Sequence, residues 1–370
     1  MKRIRAAVVG AGRLGGFHAQ KLAAHSRVEL VAVVDPLPES RNRVAAECGA
    51  RALADHRGLQ GQIDAAVVAA PTSLHHRLGM ELLDAGVHLL VEKPLCATLS
   101  EADELVDAAR RRGVVLQVGH VERFNPTFAA ATTHTPDPKY LEAVRAGGFT
   151  FRSTDVGVVL DLMIHDIDLV LSLVRSPVRK VEALGLSVLG GHEDVANARL
   201  EFECGAVANL SASRVSHATA RSMNVWSHRG FAGIDFAART ATLVKPSQTL
   251  RNRRFDVDLL SPEQLEHSKQ HFTAEHLPVE RLTFEAADAL AAETEDFVQS
   301  ILTPRRPRVD GAAGRDALAV AALILARIAT HAWDDAPDGP VGPLATPRSR
   351  VIPAPHFRPA PSPALRREAG

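Results

Sequence analysis

Residues 4–15 read Ile-Arg-Ala-Ala-Val-Val-Gly-Ala-Gly-Arg-Leu-Gly, an apolar run that passes directly into a Gly-x-Gly-x-x-Gly motif. The apolar run predicts a buried β-strand, and a helical pattern follows over Leu14–Ala24. Between the two, Gly10 permits a tight turn, Gly12 lets the backbone approach a pyrophosphate, and Gly15 allows helix and strand to pack closely. The N-terminus of the helix also attracts phosphates. The stretch therefore predicts a dinucleotide-binding turn at the start of a parallel sheet.

An acidic residue ends the second predicted strand, Val28–Asp35, and stands 20 residues after Gly15. At that spacing a carboxylate accepts hydrogen bonds from ribose hydroxyls, which favours NAD as the cofactor. Arg41 lies six residues further on and offers a cation to the 2′-phosphate of NADP, so the choice between the two stays open. The residues of this region predicted to bind the cofactor are Gly10, Gly12, Arg13, Leu14, Gly15 and Asp35.

Strands and helices alternate along the first 120 residues. Further strands are predicted at Ala65–Ala70, His88–Val91 and Val114–Val118, with helices over 40–48, 75–85 and 100–112. Ser100 is the predicted N-cap of the last of these helices, and Gly113 its stop. Because parallel strands need crossover connections, the alternation predicts an α/β domain with a doubly wound parallel sheet.

The pattern changes after about residue 125. A helix is predicted over Val158–Val174, and strands follow, among them a hairpin that turns at Gly205. This order predicts a C-terminal α+β domain with an antiparallel or mixed sheet. Asp316–His331 has the pattern of a packed helix, whereas residues 335–370 hold nine prolines and few large apolar groups, which predicts a disordered tail.

Composition excludes several classes of protein. Lys plus Arg (43) equals Asp plus Glu (43), without the basic excess of a nucleic-acid-binding protein. No run approaches the roughly 18 apolar residues of a membrane span. The three cysteines stand far apart and form no Cys-x-x-Cys pair, so neither a zinc site nor a disulfide framework is expected, and a reducing, cytoplasmic compartment fits.

Two further motifs end predicted strands at the carboxyl edge, where open α/β sheets bind ligands. Pro71 and Thr72 follow the third strand, and His75 starts the next helix; a strand that simply ends at proline is the alternative. Glu92 and Lys93 follow the fourth strand, where an ammonium group can fix a substrate hydroxyl and stabilise developing negative charge. A surface Glu-Lys-Pro without function is the alternative here.

Asp161 and His165 are four apart on a predicted helix, hence about one turn apart on one face. His165 is a candidate general base whose position or protonation Asp161 influences. A metal pair is a second possibility, but no third ligand stands at a diagnostic spacing, and no metal ion is predicted. An exposed turn with a satisfied histidine is the third.

In combination these motifs resemble the Gfo/Idh/MocA oxidoreductase family, over about residues 3–332. The matching strings are GAGRLG at 10–15, VEKP at 91–94 and DLMIHD at 161–166. The resemblance implies a Rossmann domain that binds NAD over 1–122 and a substrate domain of mostly antiparallel sheet over 123–310, whose open face often makes oligomer contacts. It also implies that a helix in 311–332 packs back on the first domain, before the tail at 335–370. A homodimer or homotetramer is expected.

The same resemblance implies roles for three residues. Lys93 contacts the reacting hydroxyl, His165 is the general acid/base, and Asp161 is a polar neighbour at the substrate. Glu92 and Lys93 are implied to lie at the cofactor beside Pro71, Thr72 and His75. The family also contains regulators that bind NAD without turnover, and the presence of both Lys93 and His165 favours an enzyme.

A finer similarity concerns the strings VGHVERFNP at 118–126, RSTD at 152–155 and VVLDLMIH at 158–165. They resemble a subgroup that oxidises carbon 3 of UDP-N-acetylglucosamine and supplies the 3-keto sugar to an aminotransferase for lipid A. Arg123 and Arg152 then become candidates for the substrate diphosphate, because guanidinium groups pair bidentately with phosphate, and Asn125 joins them. A structural ion pair is the alternative for each arginine. Dehydrogenation of a free sugar or inositol is the alternative function.

Overall fold

The computed structural model describes residues 3–151, 156–303, 305–334 and 339–343. Its first half alternates strands and helices, which are β1 Ile4–Val9, α1 Arg13–Ala24, β2 Val28–Val34, α2 Pro38–Cys48, β3 Arg51–Leu53, β4 Ala65–Val68, α3 Thr72–Asp84, β5 His88–Glu92, α4 Leu99–Arg112, β6 Leu116–Gly119 and α5 Pro126–Thr132. The second half is richer in strands: β7 Tyr140–Ala146, α6 Ile164–Val174, β8 Val178–Leu186, β9 Val195–Phe202, β10 Val207–Ser213, β11 Ala220–Ser227, β12 Gly230–Asp235, β13 Thr240–Val244, α7 Gln248–Arg251, α8 Pro262–His276, β14 Val279–Thr283, α9 Ala289–Leu302 and α10 Gly311–Thr330.

The first sheet is parallel throughout, in the order β3-β2-β1-β4-β5-β6. This confirms the predicted doubly wound sheet, although the short edge strand β3 escaped prediction. The strand order reverses between β1 and β4, and in such sheets ligands bind at the carboxyl ends beside that point. The glycine motif after β1 and residues 69–72 after β4 both lie there.

The start of α4 differs from the prediction. Its N-cap is Thr98 rather than Ser100, because Thr98 and Glu101 complete a reciprocal capping box. The Thr98 hydroxyl accepts from the Glu101 amide at 3.3 Å, and the Thr98 amide donates to the Glu101 carboxylate at 3.0 Å. Gly113 ends the helix in the left-handed conformation, as predicted.

The second sheet has the order β14-β13-β12-β11-β7-β10-β9-β8 and is antiparallel except between β10 and β7. The predicted hairpin is β9–β10, and Gly205 turns it with a φ of 80°. One face of this sheet shares a buried apolar cluster with α5, α6 and α10. The mostly antiparallel second domain is thereby confirmed.

The last two helices join the domains. Phe297 and Val298 of α9 lie in the buried cluster of the first sheet, although the predicted boundary assigned these residues to the second domain. The backbone of α10 lies directly on β6, since a Cβ added at Gly314 would come within 2.4 Å of Val118. Further along α10, Leu318 packs into the first domain and Ile324 into the second.

Part of the proline-rich tail contacts the body. Within residues 339–343, Val341 forms a β-bridge with Ala332, and the Trp333 indole donates to the Gly342 carbonyl at 2.7 Å. A wholly disordered tail does not account for these contacts. Residues 335–338 and 344–370 lie outside the described part of the chain, so disorder there stays a prediction. None of the helices in the described ranges combines the length and apolarity needed to cross a bilayer.

Glu293 of α9 is fully buried under the carboxyl end of the first sheet. Neither of its carboxylate oxygens has a hydrogen-bond partner among the described residues. The pKa of Glu293 is raised well above 4.5, mainly by burial. The negative charges of Glu92, Asp296 and Asp168 raise it further. The folded chain therefore holds a proton at Glu293 that the unfolded chain releases once the pH exceeds its ordinary pKa.

We predict that Glu293→Gln stabilises the protein increasingly as the pH rises. A group whose folded pKa is raised favours folding below its unfolded pKa, and that contribution is lost as the pH rises through the folded pKa. The neutral amide removes this loss, so the free energy of unfolding of the variant should gain on that of the wild type above about pH 4.5. Urea denaturation between pH 4.5 and 8.5 measures the difference. Glu295→Gln, on the exposed side of the same helix, is a comparison of opposite sign: hydrogen bonds from Gln299 and His25 lower the pKa of Glu295, so this variant should lose stability relative to the wild type as the pH rises. An equal Glu293→Gln effect at every pH would contradict the prediction.

Candidate active site

The glycine motif forms a turn with one open backbone position. A Cβ at Gly10, whose φ is +103°, would lie 2.4 Å from the Ala69 carbonyl, and one at Gly15 would lie 1.8 Å from the Gly10 carbonyl. Around Gly12 nothing stands within 4 Å of such an atom. Gly10 and Gly15 are thus required by packing, while Gly12 exposes backbone at the start of α1. The turn fits a dinucleotide pyrophosphate, with Arg13 and Leu14 beginning the helix behind it.

Asp35 is fixed beside this turn. Its carboxylate accepts hydrogen bonds from the backbone amides of Ala11 at 2.7 Å and Leu37 at 2.8 Å. Arg41 folds back and donates to the carbonyls of Asp35 and Pro36. The carboxylate is thereby held where a cofactor ribose would lie, and the Arg41 guanidinium is occupied by backbone.

The residues after β4 are placed differently from the prediction. Pro71 and Thr72 begin α3 at the carboxyl edge, as expected. His75 is buried, however, with its ring nitrogens 2.9 Å from the Pro94 carbonyl and 2.8 Å from the Ala70 carbonyl. Because both ring nitrogens face backbone carbonyls, of which a neutral ring can donate to one, His75 packs α3 against the end of β5 and does not point toward a cofactor.

Glu92 also faces inward. Its carboxylate lies 2.7 Å from His18 Nε2 and accepts from the Lys93 amide at 3.2 Å. Burial acts to raise the pKa of Glu92, but the hydrogen bond and charge of His18 and the charge of Lys93 hold it below its usual range. With Glu293 these side chains place ligand atoms within 4.8 Å of one another, a spacing that suits a shared proton as well as a metal ion. The Glu92 carboxylate therefore fixes the backbone of Lys93 through the hydrogen bond from its amide.

Lys93 reaches across to the second domain. Its Nζ donates to the Asp161 carbonyl at 2.7 Å and lies 3.2 Å from the Asp161 carboxylate. The two side chains remain 14% and 23% exposed, so a substrate can reach them. Asp161 lies in a π-helical turn, Val159–Met163, that leads into α6. The sequence paired Asp161 with His165 on an α-helical face, but the wider turn directs Asp161 to Lys93 instead.

His165 stands on the first turn of α6, partly buried, and its Nδ1 has no hydrogen-bond partner among the described residues. Its ring packs edge-on against that of His120, with centroids 6.2 Å apart. The pKa of His165 is lowered well below 6.5, mainly by burial. The charge of Lys93 is the next largest cause, followed by those of Arg145, His120 and Arg221. The imidazole is therefore neutral near pH 7 and able to accept a proton.

A buried ion network holds α6 in place. The guanidinium of Arg145, on β7, pairs with both oxygens of Asp166 at 3.1 and 2.8 Å and with Glu122 at 2.9 Å. Asp166 directly follows His165 in the chain. Because Arg145 and Asp166 are both buried, loss of either would leave an uncompensated charge beside the site.

The residues predicted to bind the substrate are only partly brought together. Asp161 and His165 lie near Lys93, but Arg123 makes a two-point ion pair with the buried Asp168, at 2.8 and 3.2 Å. Asn125 caps α5 through the Thr127 amide and donates to Glu122. Arg123 and Asn125 thus have structural roles, and Arg152 lies outside the described residues.

Several residues of the site escaped sequence analysis: His120, Arg145, Asp166 and Arg221. A signal existed for the arginines, because each stands at the buried parity of an alternating strand. Arg145 follows Leu141 and Ala143 on β7, and Arg221 precedes Met223 and Val225 on β11. What the alternation does not give is the register that places the two strands side by side.

Two family models match the chain. A model described as an oxidoreductase family with an NAD-binding Rossmann fold matches residues 4–120. A model described as the GFO/IDH/MocA C-terminal domain matches residues 122–232. Together they cover more than half of the sequence and include both sides of the site.

Individual relatives agree with these models. The chain is 36% identical over 337 residues to UDP-N-acetylglucosamine 3-dehydrogenase from Acidithiobacillus ferrooxidans, covering 90% of this chain and 99% of that protein. A solved structure of that enzyme superposes with a TM-score of 0.76 at 35% identity, covering 88% of this chain and 98% of the other. The scyllo-inositol 2-dehydrogenase (NAD(+)) of Bacillus subtilis is 30% identical over 58% of this chain and 68% of its own length. The chain therefore belongs to the Gfo/Idh/MocA family of oxidoreductases and is a dehydrogenase of CH–OH groups with an NAD-binding Rossmann domain.

Proposed function

We propose that the protein oxidises the carbon-3 hydroxyl of a UDP-linked N-acetylhexosamine, with UDP-N-acetylglucosamine as the first candidate. The observation that carries the chemistry is the meeting of Lys93 with the π-helical turn before His165, at the carboxyl edge of the Rossmann sheet. The full-length similarity to a UDP-N-acetylglucosamine 3-dehydrogenase favours the nucleotide sugar. The shorter similarity to an inositol dehydrogenase makes free polyols the competing substrate class.

The residues on the two sides of the site divide the work. Lys93, held by Asp161, donates a hydrogen bond to the reacting hydroxyl oxygen and stabilises its developing negative charge. The neutral imidazole of His165 takes the hydroxyl proton. The glycine turn and Asp35 would hold NAD, which would supply the hydride acceptor for the same carbon, so that oxidation of the alcohol to a ketone needs no other reactant. A 3-keto sugar of this kind is the substrate that an aminotransferase requires, and we propose such an enzyme as the downstream partner.

Self-association is proposed through the open face of the second sheet. The tilted ring of Trp226 packs there against Tyr140 and Phe231, with centroids 5.1 and 5.0 Å away, and all three side chains are only partly buried. A homodimer or homotetramer would cover these rings.

We predict that Lys93→Ala and His165→Ala each abolish most turnover while the cofactor still binds. His165→Ala should lower kcat by roughly 10²–10⁴-fold, the usual contribution of a positioned acid/base, and Lys93→Ala by a comparable factor. Steady-state rates and NADH fluorescence titration measure the two properties separately. Lys21→Ala, a surface lysine paired with Asp288, is the control. Near-normal kcat in either site variant would remove that residue from the chemistry.

We predict a preference for NAD over NADP. The Asp35 carboxylate is fixed by two backbone amides and would repel a 2′-phosphate, whereas the Arg41 guanidinium is occupied. Asp35→Ser should narrow the ratio of the two dissociation constants, and Glu39→Gln, an exposed carboxylate on α2, should leave it unchanged. Tighter binding of NADP than NAD to the unmodified protein would contradict this prediction.

The substrate class is tested by one comparison. Free N-acetylglucosamine, inositol and UDP-N-acetylglucosamine are supplied at equal concentration, and NADH is followed with an aminotransferase present to remove the ketone. We expect turnover of the UDP conjugate alone, because remote binding of the diphosphate aligns the reacting carbon. Equal efficiency with the free sugar or inositol would defeat the nucleotide-sugar assignment.

A further inference from the structure

Two arginines stand side by side on neighbouring strands next to the site. β7 and β11 pair antiparallel, and their register places Arg145 directly opposite Arg221. Residues directly opposite in an antiparallel pair have Cβ atoms about 4.5–5.5 Å apart. Met223 and Val225, two and four residues after Arg221, are buried on the face of the sheet that carries α6. Arg221 therefore projects from the same face as Arg145, at the end of the strand.

The two arginines differ in whether a carboxylate compensates their positive charge. Arg145 is buried and uses its whole guanidinium on Asp166 and Glu122. Arg221 is exposed, and within the described ranges no hydrogen bond or ion pair reaches its side chain. Like charges directly opposite on paired strands are destabilising, and among the described residues Arg221 has no carboxylate of its own to offset this effect. An arginine without a carboxylate partner is expected where its positive charge binds an anionic ligand.

Arg221 also lies within electrostatic reach of the catalytic side of the site. Its positive charge contributes to lowering the pKa of His165, after burial and the charges of Lys93, Arg145 and His120. It acts in the same direction on Asp166, whose pKa is raised by burial and lowered by Arg145. The two α6 groups whose pKa it lowers are His165 and Asp166, and the carboxylate of Asp166 is already held by Arg145. An anion arriving from solvent would therefore meet an available guanidinium.

We propose that Arg221 binds the anionic group of the substrate, which under the proposed function is the diphosphate of the nucleotide sugar. A guanidinium pairs with phosphate oxygens through two parallel hydrogen bonds, which fixes orientation as well as position. Arg123, the residue that the sequence suggested for this role, is committed to the buried Asp168 and would leave that carboxylate uncompensated if it turned outward. Arg221 has no such partner in the part of the chain that the structure describes, so it can bind an anion without breaking a contact seen there. This inference rests on the proposed function for the identity of the anion only.

The experiment compares Arg221→Gln with the unmodified full-length protein. We expect the KM for UDP-N-acetylglucosamine and the inhibition constant of UDP both to rise by about 10–100-fold, the range for loss of hydrogen bonds to a charged group. The value of kcat at saturation should stay within about threefold, and the dissociation constant of NADH should not change, because Arg221 touches neither the reacting oxygen nor the glycine turn. Arg221→Lys should recover part of the loss, since it restores the charge but not the planar fork.

A matched arginine on the opposite face of the same sheet serves as the control. Arg199 of β9 stands between the buried Ala198 and Leu200 and so points away from α6, and Arg199→Gln should leave KM and UDP inhibition unchanged. Unchanged KM and UDP inhibition in Arg221→Gln, with the wild type turning over the UDP sugar, would overturn the inference and leave the proposed function intact. A fall in kcat without a change in KM would also overturn it, because Arg221 would then act through His165.

Direct binding of UDP separates the two proposals. If the wild type oxidises only free polyols, the nucleotide-sugar function fails. Calorimetric titration with UDP then decides the role of Arg221 by itself. Binding to the wild type that weakens in Arg221→Gln supports the anion site, whereas equal binding to both proteins, or binding to neither, refutes it.

Discussion

The contact between Lys93 and Asp161 is the interaction on which the candidate site depends, because it links the end of β5 in the Rossmann domain to the turn before α6 in the second domain. Each side of the contact is held from behind. On the Rossmann side, Glu92 accepts from the Lys93 amide and contacts His18. On the other side, Arg145 holds Asp166 and with it the first turn of α6. An ammonium group at 2.7 Å from a carbonyl is well placed to exchange that partner for a substrate oxygen.

Under the proposed function, charge and burial combine to give Lys93 and His165 the protonation states that oxidation of a hydroxyl needs. The ammonium group of Lys93 lies beside the carboxylate of Asp161. The ring of His165 is removed from solvent and has positive neighbours, so the pKa of His165 falls well below 6.5. The same cationic surroundings would disfavour the imidazolium formed during turnover, so the proton must leave His165 readily once the hydroxyl has given it up. A carboxylate paired with His165 would have the opposite effect, and the π-helical turn avoids it by directing Asp161 to Lys93.

The sequence predicted those features that depend on local patterns. The glycine turn, the alternation of strands and helices, the Gly205 hairpin and the helix over Val158–Val174 follow from periodicity and from residues with special backbone conformations. It failed where the outcome depends on three-dimensional partners. Arg123 forms an ion pair with Asp168, and the ring of His75 lies between two backbone carbonyls. Arg145 lies opposite Arg221 only because of the register in which β7 and β11 pair. The residues in these contacts are not separated by a fixed number of positions in the chain, so no sequence motif predicts them.

The most direct test of this account is the titration of His165 itself. Nitrogen-15 NMR of the histidine side chains, with His165 identified by its absence in His165→Gln, reports the charge of the ring as the pH is lowered. The account predicts a neutral imidazole at pH 6.5 that resists protonation well below that pH. It also predicts a higher pKa of His165 in Lys93→Met, because Lys93 is the positive charge that contributes most, after burial, to lowering it. A pKa of His165 above 6.5 in the unmodified protein would contradict the account, because burial and the neighbouring positive charges are what it invokes to lower that pKa.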